Sequence, residues 1–432
     1  MTRKMKDGGV EWIGLIPDGW NCCRVKTLFA EINNPCEHGN DYQLLSVSEY
    51  YGVAPTVAKN DSEYLSRAES LDGYKICHKD DIVMNIMLAW KRAMGASDYL
   101  GIVSPAYCVY RPKSRDVCSR YYHYLFRTDV YALVFKGRST GIIESRLRLY
   151  PDEFLALYCH NPPIDEQQRI AAYLDAKCAS IDDVIAKTNE SIEEYKKLKQ
   201  AVITEAVTKG VRGKRPMKES GIPWYGKIPS DVSVSKVGRH YDITLGKMLC
   251  DVPKSDDMVC IPYICAANVH FDGVDVSELK QMWFSPDEIE LYKVQNGDLL
   301  IVEGGAGAGG CAIVQGIEGT IGIQNSIQII RSKDAGDNRY LCYALQSLVK
   351  GGYMDIACNK ATIPHFTKDK LSNSPYIVWS IEERCEIADY LDSKCAAIDT
   401  LISKKQQFID ELTAYKKSLI YEYVTGKKEV PA

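Results

Sequence analysis

The sequence predicts an α+β chain: two similar mixed α/β globular domains joined by two long antiparallel coiled-coil helices, a pseudo-two-fold internal repeat. Three observations predict it. IAAYLDAKCASIDDVIAK at 170–187 returns as IADYLDSKCAAIDTLISK at 387–404. MKDGGVEWIGLIP at 5–17 returns as MKESGIPWYGKIP at 217–229. The chain also has 432 residues, more than one hydrophobic core ordinarily organises. Many sequences pack a helix equally well, so near-copies mark a duplication rather than a packing requirement.

The two leaders share Met5/Met217, Lys6/Lys218, Gly9/Gly221, Trp12/Trp224, Gly14/Gly226, Ile16/Ile228 and Pro17/Pro229. The regions that follow, roughly 20–160 and 230–378, barely resemble each other. Both are strings of short β-like runs broken by Gly, Pro, Asn and Asp, such as DIVMNIM, GIVSPAYCVYRP, GDLLIVEGG, GCAIVQG and NSIQIIRS. Shorter helices are expected near 119–135 and 338–349. KDDIVMN at 79–85 answers NGDLLIV at 296–302, and YYHYLF answers YLCYAL. This is the pattern of one fold carrying two divergent surfaces, each of a normal domain size.

Ile164 set against Ile381 starts an ungapped match that takes in Tyr173/Tyr390, Asp175/Asp392, Asp182/Asp399, Glu205/Glu422 and Thr208/Thr425. Pro162 and Pro163 precede the first copy, and Ser380 with Glu383 has capping-box spacing before the second. Leu174, Cys178, Ile181, Ile185 and Ile192 run along one copy. Leu391, Cys395, Ile398, Ile402 and Ile409 run along the other. Their steps of four and three define a coiled-coil seam, with Thr188 and Lys405 interrupting it at equivalent points. Helices of about 45 residues are on the order of 65 Å long and need a partner for the apolar face; the natural partner is the other copy. The expected order is a first globular domain with its leader over 1–160, a central helix over 161–212, a second domain with its leader over 213–379, and a distal helix over 380–427.

Composition narrows the function classes. Hydrophobic residues make up 46% and charged residues 25%, the balance of a soluble globular chain. No apolar stretch approaches the length of a membrane span, and MTRKMKDGGVEWIG lacks the apolar core of a signal peptide. A cytoplasmic location without membrane contact is expected. The 16 cysteines are scattered without a CxxC pair, which fits small buried hydrophobes better than metal ligands. No metal site is expected. A net charge of −4 argues mildly against nucleic acid, but local patches bind, not the sum.

Two such patches sit late in the variable regions. KGRSTGIIESRLRLY carries Lys136, Arg138, Arg146 and Arg148, and NKATIPHFTKDK carries Lys360, His365, Lys368 and Lys370. Lys91 and Arg92, in LAWKRAMGAS, and the Gly-rich EGGAGAGG at 303–310 occupy similar places after the DIV and DLL strands. These cations fit a phosphate grip or, equally, the charged face of solvated loops, and they are the candidate binding residues. Other motifs lead nowhere. The GxGxxG spacing of Gly305, Gly307 and Gly310 precedes a strand-like run rather than a helix. NPPI at 161–164 has Ile164 where an adenine methyltransferase needs a stacking aromatic. No HExxH, GxSxG or triad pattern appears, so no catalytic residue is assigned.

PPIDEQQRIAAYLDAKCASID and SIEERCEIADYLDSKCAAID resemble the conserved helices of the specificity subunits of type I restriction–modification enzymes. The two leaders resemble the motif before each target-recognition domain of that family, and NIMLAWKRAMGASDYLGIVSPAYCVYRP and GDLLIVEGGAGAGGCAIV resemble stretches within such domains. Lys91-Arg92 stands where Gln-Gly is common, Ala308-Gly309 breaks the usual Gly-Lys/Arg ending, and Glu382-Glu383-Arg384 replaces a Glu-Gln pair. The resemblance implies a DNA sequence-specificity subunit without chemistry of its own. Each globular domain would read one half of a bipartite site on double-stranded DNA. The paired helices would set the spacer and dock the methyltransferase (modification) subunits, with a motor–nuclease (restriction) subunit joining the complex. No cofactor is expected in this chain; S-adenosylmethionine, ATP and Mg2+ would belong to the partner subunits. The alternatives are a stand-alone adenine DNA methyltransferase and a structural coiled-coil adaptor.

Overall fold

The computed structural model describes residues 3–37, 41–56, 71–305, 307–334, 336–358 and 364–431. The chain forms two compact units, one from Met1–Thr188 with Gln406–Ala432, the other from Asn189–Lys405. The two long helices, central (Ile164–Lys209) and distal (Ile381–Val424), are therefore each shared between units.

In the first unit, Phe29–Ile32 (β1), Ile82–Asn85 (β2), Met94–Ala96 (β3) and Tyr107–Pro112 (β4) make an antiparallel sheet in the order β1-β4-β2-β3. In the second, Tyr241–Leu245 (β5), Leu299–Val302 (β6), Cys311–Ile313 (β7) and Ile327–Ser332 (β8) repeat that order as β5-β8-β6-β7. Every residue of β2 and of β6 is buried, as expected of a strand covered on both faces. The conserved acid of the KDD and NGD stretches explains itself here. Asp81 takes a two-pronged hydrogen bond from Arg111, at 2.8 Å for both prongs, and Asp298 takes the same from Arg331 at 2.7 Å. Each carboxylate also accepts a backbone N–H three residues upstream, from His78 and from Gln295. The leaders form matching two-stranded ribbons, Met5–Asp7 with Leu15–Pro17 and Met217–Glu219 with Lys227–Pro229. Trp12 and Trp224 from these ribbons make T-shaped contacts to Tyr131 and Tyr353, at 5.0 and 4.9 Å.

The helical stretch near 119–135 is two helices, Ser119–Phe126 and Asp129–Arg138, separated at Arg127 and Thr128. The break has a cause. Arg127 is drawn inward to donate to the carbonyl oxygens of Ser48, Glu49, Tyr50, Arg92 and Met94. Its counterpart in the second unit breaks later: one helix runs from Arg339 to Lys350 and a short one follows over Met354–Ala357.

Within each unit the long helices run antiparallel. In the first, Tyr173 meets Tyr423 and Lys416 holds Asp182 at 2.6 Å. In the second, Lys199 holds Asp399 at 2.6 Å and Lys405 lies over the Tyr195 ring at 5.6 Å. The polar interruption at Lys405 thus packs as a cation on an aromatic face. Leu174, Cys178, Ile181 and Ile192 are buried, as are Leu391, Cys395, Ile398 and Ile409, while Ile185 and Ile402 are half-buried. The helices also pack on the globular parts. Tyr121 donates to the carbonyl of Val424 (2.7 Å), and Tyr340 donates to that of Val207 (3.3 Å). At the distal N-terminus, Ser380 Oγ accepts the Glu383 N–H at 3.2 Å. The Glu383 carboxylate in turn accepts from the Ser380 hydroxyl at 3.3 Å and pairs with Arg215 at 2.7 Å. The substitution of Gln167 by Arg384 at the equivalent turn also has a local reason. Gln167 is buried on the backbone of Cys118 and Pro162, whereas buried Arg384 meets Asp334 and Tyr241.

All 16 cysteines are free and ten are buried. Among the described residues no helix is long and apolar enough to cross a membrane.

His160 is buried beside Tyr131, whose hydroxyl lies 3.2 Å from Nδ1, and burial pushes its pKa down to about 4. An unfolded histidine titrates near 6.5. Between those values the unfolded chain binds more protons, so stability falls as pH drops through this window. The loss amounts to about 2 kcal/mol at pH 5 from this group. Urea unfolding at pH 7.5 and 5.0 checks it: His160→Gln should lose less stability on acidification than wild type, and an equal loss would assign the effect to other groups.

Candidate nucleic-acid interface

Trp90 lies in the middle of the turn after β2, and its indole N–H donates to the Met87 carbonyl at 3.1 Å, which fixes the ring. Lys91 and Lys136 place their ammonium groups against this ring, at 5.2 and 5.1 Å from its centroid. The structure therefore brings together two cations 45 positions apart in sequence. Lys136 also pairs with Glu144 at 2.5 Å, which holds the Glu144 carboxyl below its ordinary range. The segment after Arg138 returns to the same sheet end: Thr140 and Arg148 exchange backbone hydrogen bonds of 2.9 and 3.0 Å, and Leu149 N–H donates to the Ile86 carbonyl. Arg146 and Arg148 ride on this loop, and Arg148 donates to the Arg146 carbonyl at 3.1 Å. Arg138 stands apart, 3.7 Å from Glu153. Arg92 is turned elsewhere. It pairs with Asp129 at 3.0 Å and lines a cavity of about 950 Å³ with Arg120, Arg127 and Lys416.

The second unit repeats this backbone plan with other side chains. Phe366 N–H donates to the Glu303 carbonyl, as Leu149 does to Ile86. His365 lies so close over Gly304 that a Cβ there would sit 2.7 Å from its Nδ1, so the Gly-rich turn is needed for this approach. Lys370 donates to the His365 carbonyl at 2.8 Å, and Lys368 is exposed at the start of the short helix Lys368–Asn373. Lys360 lies outside the described residues. Glu303 gave no signal beyond being the one charged residue of its Gly-rich stretch. Its Oε2 is buried without a partner among the described residues, and burial raises its pKa. Trp90, which gathers the first cluster, was also missed; its flanking lysine was the only hint in the sequence.

Arg92 and Gly309 close the turns after β2 and β6 with φ of 70° and 84°. The left-handed backbone is thus kept although the residue is not. Asn161 of the NPPI stretch is structural: its Oδ1 accepts from Tyr122 at 3.1 Å, and Ile164 opens the central helix.

Two sheet domains of one topology, each edged by loops of its own composition and closed by antiparallel helix ends, define a duplicated two-headed protein. No protein-family model matches the chain. In sequence it is similar to two proteins of Methanocaldococcus jannaschii. One is the type I restriction enzyme MjaVIII specificity subunit, 24% identical over 96% of this chain and 94% of that one. The other is a putative type I restriction enzyme MjaX specificity subunit, 22% identical over 97% and 96%. In fold it is similar to a chain from a solved structure of complex assembly and conformational transition in the type I restriction–modification system. That match has a TM-score of 0.71 and 16% identity, covering 96% of this chain and 99% of that one. It is also similar to the HsdS subunit from Thermoanaerobacter tengcongensis, with a TM-score of 0.54 and 16% identity, covering 96% and 98%. Over nearly its whole length the chain is thus similar in sequence and in fold to type I specificity subunits.

The left-handed turn gives a direct test. Arg92→Gly removes a steric cost of about 1 kcal/mol and an exposed ion pair worth little, so stability should hold or rise slightly. Gly309→Ala acquires that cost, and its Cβ would meet Val349 at 3.1 Å, so it should lose about 1–2 kcal/mol. Urea melts of both variants decide; equal effects would contradict the shared turn.

Proposed function

We propose that this chain is the DNA sequence-reading subunit of a type I restriction–modification complex. The observation that carries this reading is the end-to-end likeness to specificity subunits, joined to a duplicated sheet domain whose edge loops differ between copies. One head offers Trp90 between two lysines, with Arg146 and Arg148 beside them. The other offers a Gly-rich turn with His365, Glu303, Lys368 and Lys370. Lys and Arg grip phosphates and set register, while polar groups at base edges discriminate. Two heads with different edges read two different half-sites, which makes the site bipartite and asymmetric.

The chain is a non-catalytic subunit acting in the cytoplasm. Methyl transfer belongs to modification subunits docked on the long helices, which carry S-adenosylmethionine. ATP- and Mg2+-dependent cleavage belongs to a motor–nuclease subunit. The paired helices set the spacer between half-sites, each added residue contributing about 1.5 Å of rise. The stand-alone methyltransferase reading is not favoured: the residues of its one suggestive motif are absorbed into a strand–helix junction.

Co-expression with the cognate modification subunit in a methylation-free host, followed by mapping of methylated adenines, tests the proposal. Exchange of residues 20–160 for the corresponding region of another specificity subunit should change one half of the methylated sequence and leave the other. A change in both halves, or no methylation with any partner, would contradict it. Lys91→Ala and Arg146→Ala should each lower the slope of log affinity against log salt by about one. Binding measured between 50 and 200 mM salt checks this, and an unaltered slope removes the residue from the phosphate contacts.

A further inference from the structure

The loop between helix Asp129–Arg138 and Leu149 carries a feature that phosphate contact does not account for. Its outermost residues are isoleucines: Ile142 is fully exposed (101%) and Ile143 is half-exposed (53%). An aliphatic side chain held wholly in water at a loop tip gains nothing for the fold. Yet the loop is well tied. Thr140 and Arg148 close it with two backbone hydrogen bonds, Arg146 N–H returns to the Ile143 carbonyl at 2.9 Å, and buried Leu149 anchors its end on the sheet. Gly141 completes the closure, since a Cβ there would lie 2.6 Å from the Arg146 carbonyl oxygen. The tip is thus an apolar point on a braced support.

Its surroundings name the occupant. Lys91, Lys136, Arg138 and Arg146 are exposed nearby, against the acids Glu144, paired to Lys136, and Glu153, paired to Arg138. Glu144 also feels the charge of Lys91, and Arg146 and Arg148 form no ion pair among the described residues, so five cations face two acids and the rim keeps a positive excess. An apolar contact on a protein partner has no need of a cationic rim. A polyanion with a stackable interior does: cations hold phosphates on either side while an aliphatic side chain separates two base pairs and kinks the duplex. β-Branched isoleucine suits the task because its χ1 freedom is already restricted.

We propose that Ile142, backed by Ile143, is a wedge that enters a base step at the first half-site and bends the DNA there. This rests on the reading of the first unit as a DNA-reading head. It goes beyond that reading by assigning a positioning role to uncharged residues and a deformation to the DNA.

The test uses the full chain with its modification subunit, on duplexes bearing the target found by methylation mapping. 2-Aminopurine replaces each base of the first half-site in turn, and a donor–acceptor pair at the duplex ends reports bending. Wild type should raise 2-aminopurine emission several-fold at one step away from the methylated adenine and shorten the end-to-end distance. Ile142→Ala/Ile143→Ala should abolish both signals and weaken binding about ten-fold with an unchanged salt slope, and Ile142→Leu should keep them. The wedge is overturned if wild type unstacks no such step, or if the alanine variant still unstacks and bends. It is likewise overturned if that variant loses the modification subunit but not the DNA, which would make the tip a protein contact. If wild type binds no methylated target at all, the parent reading fails first.

Discussion

A carboxylate at the same turn of each long helix, Asp175 in one and Asp392 in the other, fastens a globular head to its rod. Asp175 receives Arg120 at 2.7 Å and the Tyr124 hydroxyl at 2.6 Å, both from the helix Ser119–Phe126. Asp392 receives Arg339 and, at 2.6 Å, the Tyr343 hydroxyl, both from Arg339–Lys350. In each case the donors are four residues apart and so lie on one face of the head's helix. Half-exposed ion pairs contribute little net stability. Their value is directional: a planar guanidinium and a phenol converging on one carboxylate fix the angle at which the helices meet. Whatever the loops at the sheet edge present is presented at that angle.

The same economy governs the sheets. Asp81–Arg111 and Asp298–Arg331 tie a tight turn to the neighbouring strand at the same place in both heads. The side chains beyond the ends of β2 and β6 are then free to differ on a shared backbone plan, and they do. One head crowds that end with Trp90 and two lysines, and the other clears it with glycines so that His365 can settle on the backbone. Conserved polar locks and variable rims are what a scaffold for two recognition surfaces requires.

The sequence reported these features unevenly. Helix duplication and seam could be read directly because period and copy number reinforce each other over more than forty residues. The strands DIVMN and GDLLIV announced themselves through short apolar runs behind a turn acid. The candidate interface was readable only as a list of cations. Charge along the chain does not disclose that Lys91 and Lys136 share one indole, that Arg92 faces a cavity beside Asp129, or that Arg138 is drawn to Glu153. The break at Arg127 was hidden for the same reason: a guanidinium satisfied by five distant carbonyls leaves no local pattern. Glu303 and Ile142 stand out only once burial and exposure are known.

The end of each long helix has a further consequence. Gly210 and Gly426 take left-handed conformations just past the two helices, and Gly426 sits where a side chain would strike Pro17 and Trp20 of the first head. The first head is thus closed by the end of the distal helix, and the second by the end of the central one. A premature stop after the first repeat would leave a head without its lid and a rod end without its seat.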